Sequence, residues 1–199
     1  MTLKKYQEKR SFEQTPEPNG VTKKNRVDLP VFCVQRHDAS HLHYDFRLEY
    51  KGVLLSWAVP KGPSLKTTDK RLAIQVEDHP FDYRNFEGVI PKGNYGGGSV
   101  MLWDEGFYGT PGAASKKEIE KAMEKGLKKG HLDFVLNGQK LKGAYSFVKM
   151  QNTENQWLLI KGKDQYAKDT DMGALDFSVR THRSQDEIAD DVLVKKKSA

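Results

Sequence analysis

Hydrophobic and polar residues alternate without interruption along residues 41–50. The even positions hold leucine, tyrosine and phenylalanine, whereas the odd positions are polar or charged: His41, His43, Asp45, Arg47 and Glu49. Successive side chains of a β-strand point to opposite faces. The pattern therefore predicts a strand with one apolar face and one face that carries imidazole, carboxylate and guanidinium groups. That polar face is too rich in metal-ligand chemistry for an ordinary solvated surface.

A second run, residues 71–79, alternates in the same way, with aliphatic residues at 72, 74 and 76 and with polar residues that include Arg71 and His79. It predicts another strand with histidine and arginine on one face. We expect the polar faces of the two strands to share one cavity. Its members are then His37, His43, Asp45, Arg47, Arg71 and His79.

The rest of the chain adds short strand patterns, and we expect a hairpin around the glycine-rich loop 91–99 and another at Asn137–Gly138. A capping box at Ser115 predicts a helix that ends near Gly130, and Ser184 with Glu187 predicts a short second helix. These elements indicate a mainly β protein: a small closed antiparallel β-barrel with one or two flanking helices. We expect the interior of the barrel to shelter the polar strand face.

Composition divides the chain into three regions. Residues 1–27 are polar and basic and predict a flexible arm, residues 28–163 form the barrel domain, and residues 164–199 are an irregular charged extension. The net charge is +6, but residues 1–26 hold seven basic and three acidic residues and Lys195–Lys197 three more basic ones, which leaves 23 basic and 24 acidic residues elsewhere. Charge alone is therefore weak support for a polyanionic partner.

The expected cellular location rests on the absence of apolar segments of the kind that direct export or span a membrane. The N-terminal residues have no apolar signal segment and no apolar run approaches the length of a membrane span, so we expect a cytoplasmic protein without a membrane partner. The single cysteine, Cys33, lies in an apolar run, which favours a buried structural thiol in a reducing compartment.

His43 and Asp45 leave the same strand face and can bind one metal ion, with a third ligand from elsewhere. Two histidines and a carboxylate suit manganese, iron or zinc. Histidines that merely satisfy hydrogen bonds in a polar core are the alternative. The two arginines, Arg47 and Arg71, are suited to phosphate oxygens and, with a protonated His79, favour phosphoryl chemistry.

The segments QRHDASHLHYDFRLEYKGVLLSWAVPKGPSL, KRLAIQVEDHPFDYRNFEGVIPKGNYGGGSVMLWDEG and GHLDFVLNGQKLKGAYSFV closely resemble the 3'-phosphoesterase domain of bacterial DNA ligase D and its stand-alone relatives. The resemblance extends from Pro30 to Gly162, and its most specific motif is a histidine, five residues and His-Tyr-Asp-Phe-Arg. It implies a β-barrel enzyme, typically manganese-dependent, with cobalt or zinc as alternatives.

The resemblance also implies roles for individual residues. His37, His43 and Asp45 are the implied metal ligands, and Arg47, His79 and Tyr83 the implied catalytic residues. The implied phosphate-binding set is Gln35, Arg47, Lys61 and Arg71. His41 ranks below His37 as a ligand because many relatives have arginine there, so a substrate-side or structural role is expected.

The activity that the resemblance implies is DNA repair at 3' ends of DNA or mixed RNA and DNA primers: removal of a terminal ribonucleoside and hydrolysis of the 3'-phosphate to a hydroxyl. A separate ligase and polymerase are implied as partners in trans. Two alternatives stay open. One is a mononuclear iron oxygenase that uses His43, Asp45 and His79, and the other is a non-catalytic module that binds nucleic-acid ends.

Overall fold

The computed structural model describes residues 3–20 and 28–191. Ten antiparallel β-strands form one sheet. In chain order the strands are β1 (Val31–Asp38), β2 (Leu42–Tyr50), β3 (Val53–Val59), β4 (Lys70–Gln75), β5 (His79–Pro80), β6 (Gly88–Ile90), β7 (Gly98–Gly109), β8 (His131–Gly138), β9 (Lys142–Lys149) and β10 (Gln156–Lys161).

Eight of these strands close on themselves. They follow the order β1-β2-β3-β4-β10-β9-β8-β7, and β7 returns to pair with β1, while β5 pairs with β3 and β6 with β7 outside the ring. The predicted closed antiparallel barrel is therefore confirmed. Closure leaves each barrel strand paired on both sides, which makes the wall a stiff support for side chains.

The interior of the barrel is packed with aromatic rings. The ring of Phe46 on β2 lies 5.4 Å from that of Phe147 and 5.9 Å from that of Phe134, both on strands across the barrel. Trp57 stacks on Phe147 at 4.4 Å. Because burial of one such side chain contributes about 1.5–3 kcal/mol, the apolar face of β2 belongs inside.

The polar face of β2 consequently lies on the outer wall of the barrel. The prediction that the barrel interior shelters this face is wrong. A second apolar cluster outside the barrel, which includes Tyr6, Leu54, Phe81 and Phe86, borders the polar face instead. The shelter thus comes from loops and from the N-terminal segment that pack onto the wall.

Three α-helices accompany the barrel in the described residues: α1 (Lys4–Glu8), α2 (Lys116–Lys129) and α3 (Gln185–Ala189). Both predicted caps are present, because Ser115 forms a capping box with Glu118 and Ser184 forms one with Glu187. Helix α2 ends at Gly130 in the left-handed conformation, as predicted. Two 3₁₀ helices cover Phe81–Asn85 and Met172–Ala174.

The hairpin of β8 and β9 is present, but its turn is displaced from Asn137–Gly138. Asn137 pairs with Lys142, so the chain reverses over residues 138–141. The carboxylate of Asp104 accepts three backbone N–H groups of this turn, those of residues 139, 140 and 141, at 2.8–3.0 Å. A distant side chain therefore stabilises a longer turn than the local sequence favours.

Residues 3–20, which belong to the predicted flexible arm, pack against the barrel. Tyr6 is fully buried and its hydroxyl donates to the carbonyl of Pro18 at 2.6 Å. Residues 21–27 of the arm and residues 192–199 of the extension lie outside the described residues. The described part of the extension also packs, since Met172, Val179 and Ile188 are buried.

Helix length bears on the question of a membrane. Across residues 3–20 and 28–191, no helix combines the length and the apolar composition that crossing a bilayer requires.

Candidate active site

The centre of the site is a cross-strand pair of histidines. In the antiparallel register of β1 and β2, His37 lies opposite His43 and Gln35 lies opposite Asp45. Directly opposed residues point to the same face of a sheet. The register therefore brings His37, His43 and Asp45 together on the outer wall, with the two imidazole centroids 4.8 Å apart.

The ring nitrogens of His37 and His43 that face Asp45 can bind a cation. His37 Nε2 donates to the carbonyl of Gly96 at 2.8 Å, and His43 Nδ1 donates to the carbonyl of His41 at 2.9 Å, since a carbonyl oxygen can only accept. This leaves His37 Nδ1 and His43 Nε2 as lone pairs, 3.6 and 3.7 Å from the carboxylate oxygens of Asp45. Each imidazole is thus oriented from behind by a backbone carbonyl.

Asp45 is ionised despite its burial. Burial by itself opposes the charge, but the neighbouring guanidinium of Arg47 outweighs it and holds the pKa well below its usual range. Arg47 Nη2 donates to Asp45 Oδ2 at 3.0 Å. The carboxylate is consequently an anionic ligand at any ordinary pH.

Arg47 is buried and held on three sides. Its Nε donates to Gln35 Oε1 at 2.7 Å and its Nη1 to Ser56 Oγ at 2.8 Å, in addition to the bond with Asp45. Gln35 in turn donates to the backbone carbonyls of Tyr83 and Phe86. Gln35 is itself fully buried and therefore fixes the position of the guanidinium through this hydrogen bond.

His79 reaches the same face from β5, where it pairs with Leu54 of β3. Its Nδ1 donates to the carbonyl of Glu77 at 2.9 Å, and its Nε2 accepts from Arg10 Nη2 at 3.1 Å. Burial and the charges of Arg47 and Arg10 hold the pKa of His79 well below 6.5. The imidazole is neutral in this state, so the protonated His79 expected from the sequence is not the form present here.

Tyr83 follows on the 3₁₀ helix after β5. Its ring centroid lies 4.8 Å from that of His79 and 4.8 Å from Arg47 Cζ. The hydroxyl donates to Glu17 Oε1 at 2.9 Å, and burial raises the pKa of Tyr83 well above 10. The phenol is therefore a hydrogen-bond donor and not a base.

Three charged residues of the site were missed by the sequence analysis. Arg10 and Glu17 come from the N-terminal arm and join Glu77 in a buried network, with Arg10 Nε 2.8 Å from Glu17 Oε1 and Arg10 Nη1 3.1 Å from Glu77 Oε1. Glu77 lies two residues before His79 in the second alternating run, which could have indicated it. Nothing in the local pattern around Arg10 or Glu17 points to the site.

These residues line a cavity of about 310 Å³ on the outer wall of the barrel. Its wall includes the metal-ligand candidates His37, His43 and Asp45. Arg47, His79 and Tyr83 also line it, together with residues of the arm and of the glycine-rich loop. The expected meeting of imidazole, carboxylate and guanidinium in one hollow is confirmed for His37, His43, Asp45, Arg47 and His79.

Arg71 and Lys61 do not line this cavity. In the pairing of β3 with β4, Ala58 lies opposite Ile74, and Ala58 also lies opposite Asp45. The even residues of β4 therefore share the face of Asp45, and Arg71 points to the other side of the sheet, where its Nη2 donates to Asp69 Oδ2 at 2.7 Å. The expectation that Arg71 shares the cavity is wrong.

Lys61 and Arg71 instead line a separate cavity of about 690 Å³, next to Leu42 and Tyr44. Whether they contact a substrate from there stays a prediction. The imidazole of His41 is exposed, and its backbone carbonyl is the group that contacts His43.

The donor set suits a divalent metal. One ligand atom from each of His37, His43 and Asp45 lies within 4.8 Å of the others, and two imidazole nitrogens with one carboxylate are the ligands that manganese, iron and zinc accept. Both imidazoles carry their proton on the nitrogen that faces away, so no rearrangement of tautomers is needed. The residues present therefore fit a bound ion.

The fold and the site define a closed β-barrel with a potential metal centre beside a fixed arginine on its outer wall. A sequence model of the DNA Ligase D 3'-phosphoesterase domain matches residues 35–149. The chain belongs to this domain family.

Similar proteins agree with this assignment. The chain is 51% identical over 172 residues to the multifunctional non-homologous end joining protein LigD of Pseudomonas aeruginosa, covering 85% of this chain and 19% of that protein. The corresponding proteins of Mycolicibacterium smegmatis and Mycobacterium tuberculosis are 39% and 38% identical over 163 residues, 82% of this chain and 21% and 20% of those proteins. The chain thus spans about a fifth of the length of these relatives.

Proposed function

We propose that this chain is a divalent-metal-dependent 3'-phosphoesterase that acts on DNA or mixed RNA and DNA 3' ends during break repair. The observation that carries the proposal is the placement of the metal-ligand set His37, His43 and Asp45 in one cavity with Arg47 and His79. Membership of the 3'-phosphoesterase domain family supports the same activity. Both reactions are proposed: removal of a terminal ribonucleoside and hydrolysis of a 3'-phosphate.

Manganese is the proposed ion, with cobalt or zinc as alternatives. When bound, it supplies Lewis-acid polarisation of a phosphoryl oxygen. His37, His43 and Asp45 would hold it. The ionised Asp45 would supply the negative charge of the set, and its hydrogen bond to Arg47 links this ligand candidate to the guanidinium.

Arg47 would bind the phosphate. Three of the five N–H groups of a guanidinium are used here by Gln35, Ser56 and Asp45, and the other two have no partner within the described part of the chain. Because the group is held rigidly, it stabilises negative charge on phosphoryl oxygens without reorganisation.

His79 and Tyr83 would act as donors to the phosphate. The entry of a phosphate anion beside His79 favours the protonated imidazole, so the depressed pKa of this residue rises when substrate binds. Tyr83 keeps its proton and can donate it as a hydrogen bond. Both groups now bond to arm residues, Arg10 and Glu17, and those contacts rearrange as substrate enters.

The proposed partners are 3' ends at primer-templates or breaks, with a separate ligase and polymerase acting in trans. The two alternatives make different predictions. An iron oxygenase would consume oxygen with ferrous iron. Its triad of His43, Asp45 and His79 does not match the clustered ligand atoms, which belong to His37, His43 and Asp45. An end-binding module would show salt-sensitive binding that survives chelation and no turnover.

The test is a primer-template labelled at its end, with either a 3'-phosphate or a single 3'-ribonucleotide, incubated with manganese or with chelator. We expect release of phosphate or nucleoside by the wild-type protein, and loss of at least about 10²-fold in Asp45→Ala and His43→Ala. Tyr83→Phe should slow the reaction while metal analysis of the purified variant stays unchanged.

His131→Ala is the matched control, since this imidazole is exposed on β8 outside the cavity. Circular dichroism should show every variant folded. A folded His43→Ala, Asp45→Ala double variant that still releases phosphate contradicts the site, and a wild-type protein without turnover contradicts the proposed function.

A further inference from the structure

Tyr95 is a large aromatic side chain that the fold leaves unburied at the site. It belongs to the glycine-rich loop between β6 and β7, is 48% exposed, and lines the same cavity as His37, His43 and Asp45. An aromatic ring that is half exposed beside a site for phosphate is a surface on which a nucleobase can stack.

The loop that carries Tyr95 is fixed to the metal-ligand set. The next residue, Gly96, accepts the hydrogen bond from His37 Nε2 at 2.8 Å and has a φ of +73°, a conformation that L side chains rarely adopt. At Gly97 an added Cβ would lie 3.1 Å from the carbonyl oxygen of Pro91, so the loop is also closely packed. The position of Tyr95 relative to the imidazole of His37 is therefore set by the backbone.

Two cations of the arm orient the ring. Lys9 Nζ lies 4.8 Å from the ring centroid of Tyr95 and 3.2 Å from its hydroxyl, and Arg10 Cζ lies 5.3 Å from the centroid. Lys9 and Arg10 are held in turn by the carboxylate of Glu77. The ring thus has a defined direction, with positive charge next to it that suits the phosphodiester backbone of a nucleic acid.

We propose that Tyr95 stacks on the base of the nucleotide that carries the scissile phosphate. The inference rests on the proposed function, because it takes the phosphate to lie between the metal-ligand set and Arg47. Tyr95 directly precedes Gly96, whose backbone carbonyl orients His37. A nucleoside attached to that phosphate would therefore lie next to the ring of Tyr95. Stacking is tolerant of sequence because every base has a π face, which suits an enzyme that repairs ends of any sequence.

Other exposed aromatic side chains lie elsewhere. Tyr166, 39% exposed, lines a different cavity with Lys140 and Lys168. It therefore provides a matched control for the loss of an exposed tyrosine ring.

The experiment compares two primer-templates with a 3'-phosphate: one with an ordinary terminal nucleotide, and one whose terminal nucleotide lacks its base. Steady-state phosphate release is measured with wild type, Tyr95→Ala, Tyr95→Phe and Tyr166→Ala in the presence of manganese. On the ordinary primer we expect Tyr95→Ala to raise KM by roughly 5- to 150-fold with kcat little changed, the effect of losing one stacked base.

On the primer without the base, Tyr95→Ala and wild type should have the same KM. Tyr95→Phe, which keeps the ring, should behave as wild type on both primers, as should Tyr166→Ala. If Tyr95 acted only by holding Lys9 and the arm, its removal would impair both primers equally, and that outcome overturns the inference.

Failure of this inference is distinguishable from failure of the proposed function. Absence of phosphate release by the wild-type protein on either primer removes the proposed function. Turnover by the wild type with an equal effect of Tyr95→Ala on both primers leaves the function intact and removes the stacking role alone.

Discussion

At the scale of single residues, the neighbours of a side chain decide its chemistry here. His37 and His79 are both buried imidazoles, yet the first presents a lone pair beside a carboxylate and the second faces two guanidinium groups. The same residue type therefore serves as a metal-ligand candidate at one position and as a neutral acceptor at the other. Asp45 keeps its charge in a buried place because the guanidinium of Arg47 lies beside it.

Cys33 permits a clear prediction at this scale, because it is the single cysteine of the chain. The side chain is 2% exposed, and burial raises the pKa of the thiol to about 12. Thiolate is the reactive form, so near pH 8 the native protein should be alkylated at least roughly 10³-fold more slowly than the unfolded chain.

The measurement is labelling by iodoacetamide followed by mass spectrometry, with and without guanidinium chloride. The denatured sample is the control for reagent activity. Equal labelling rates in the two samples would contradict the buried position of Cys33 next to Leu102 and Val179.

At the scale of elements, the N-terminal arm completes the site. Tyr6 of α1 packs edge-on against His79 with ring centroids 5.1 Å apart, and Arg10 and Glu17 bond to His79 and Tyr83. Besides the burial of Tyr6, charge holds the arm, since Glu77 bonds to Lys9 and Arg10. An element held in this way can open without unfolding the barrel.

We expect Glu77→Gln to loosen the arm. Removal of one partner of a buried ion pair costs on the order of 3 kcal/mol, so trypsin should cleave after Arg10 roughly 10²-fold faster while the barrel stays intact. Glu8→Gln is the control, because Glu8 lies on the exposed face of α1. Equal cleavage rates in both variants would show that the charge of Glu77 does not hold the arm.

Lowering the pH should loosen the arm in the same way as the Glu77→Gln substitution. Burial opposes the charge of Glu77, but the hydrogen bonds from Lys9 and Arg10 outweigh it and lower its pKa below 4.5. A carboxyl whose folded pKa is depressed contributes stability above its unfolded pKa and loses it as the pH falls through the folded value. The arm should therefore open progressively below about pH 4.5 in the wild type, and the Glu77→Gln variant should not show this change.

At the scale of the whole molecule, a closed barrel carries its site on the outside. The interior is filled by aromatic side chains such as Trp57, Phe134 and Phe147, which leaves no room there for a substrate. The outer wall offers a rigid register of side chains and leaves access for the nucleic-acid strand of the proposed reaction. Covering segments, the arm and the glycine-rich loop, then supply the walls of the cavity.

A metal bound at this wall should stabilise the whole fold. At a concentration a hundred times its dissociation constant a ligand adds about 2.7 kcal/mol, which for a chain of this size corresponds to a rise in Tm of roughly 5–10 °C. Calorimetry with manganese, cobalt or zinc should show this rise in the wild type and in His131→Ala but not in His43→Ala. A rise retained in His43→Ala would place the metal elsewhere.

Local pattern was sufficient for much of the fold. The alternation along residues 41–50 predicts β2 and the common face of His43 and Asp45, and the capping boxes at Ser115 and Ser184 predict where two helices begin. These features depend on residues close in sequence, whose geometry is set by backbone periodicity and by local hydrogen bonds. The resemblance to a family supplied the remaining ligand candidate, His37, which the register of β1 and β2 places opposite His43.

Other features depend on residues far apart in sequence. Alternation says that Arg71 and His43 each lie on a polar face, but only the pairing of β4 with β3 decides that these faces are opposite sides of the sheet. Likewise the turn after β8 is set by Asp104, 35 residues away from Gln139. The two-residue periodicity of a strand determines which of its residues share a face. It does not determine which face another segment covers.

The sequence by itself determined most of the strands, the starts of α2 and α3, the closed barrel as a class and the chemistry of the candidate ligands, because each of these follows from local spacing or from family resemblance. Tertiary structure alone decided that the site lies on the outer wall, that Arg10 and Glu17 reach His79 and Tyr83, and that Arg71 does not. The physical reason is that aromatic side chains pack across the barrel, so the apolar faces of the strands point to its interior. The polar faces are then turned outward, where segments distant in sequence cover them.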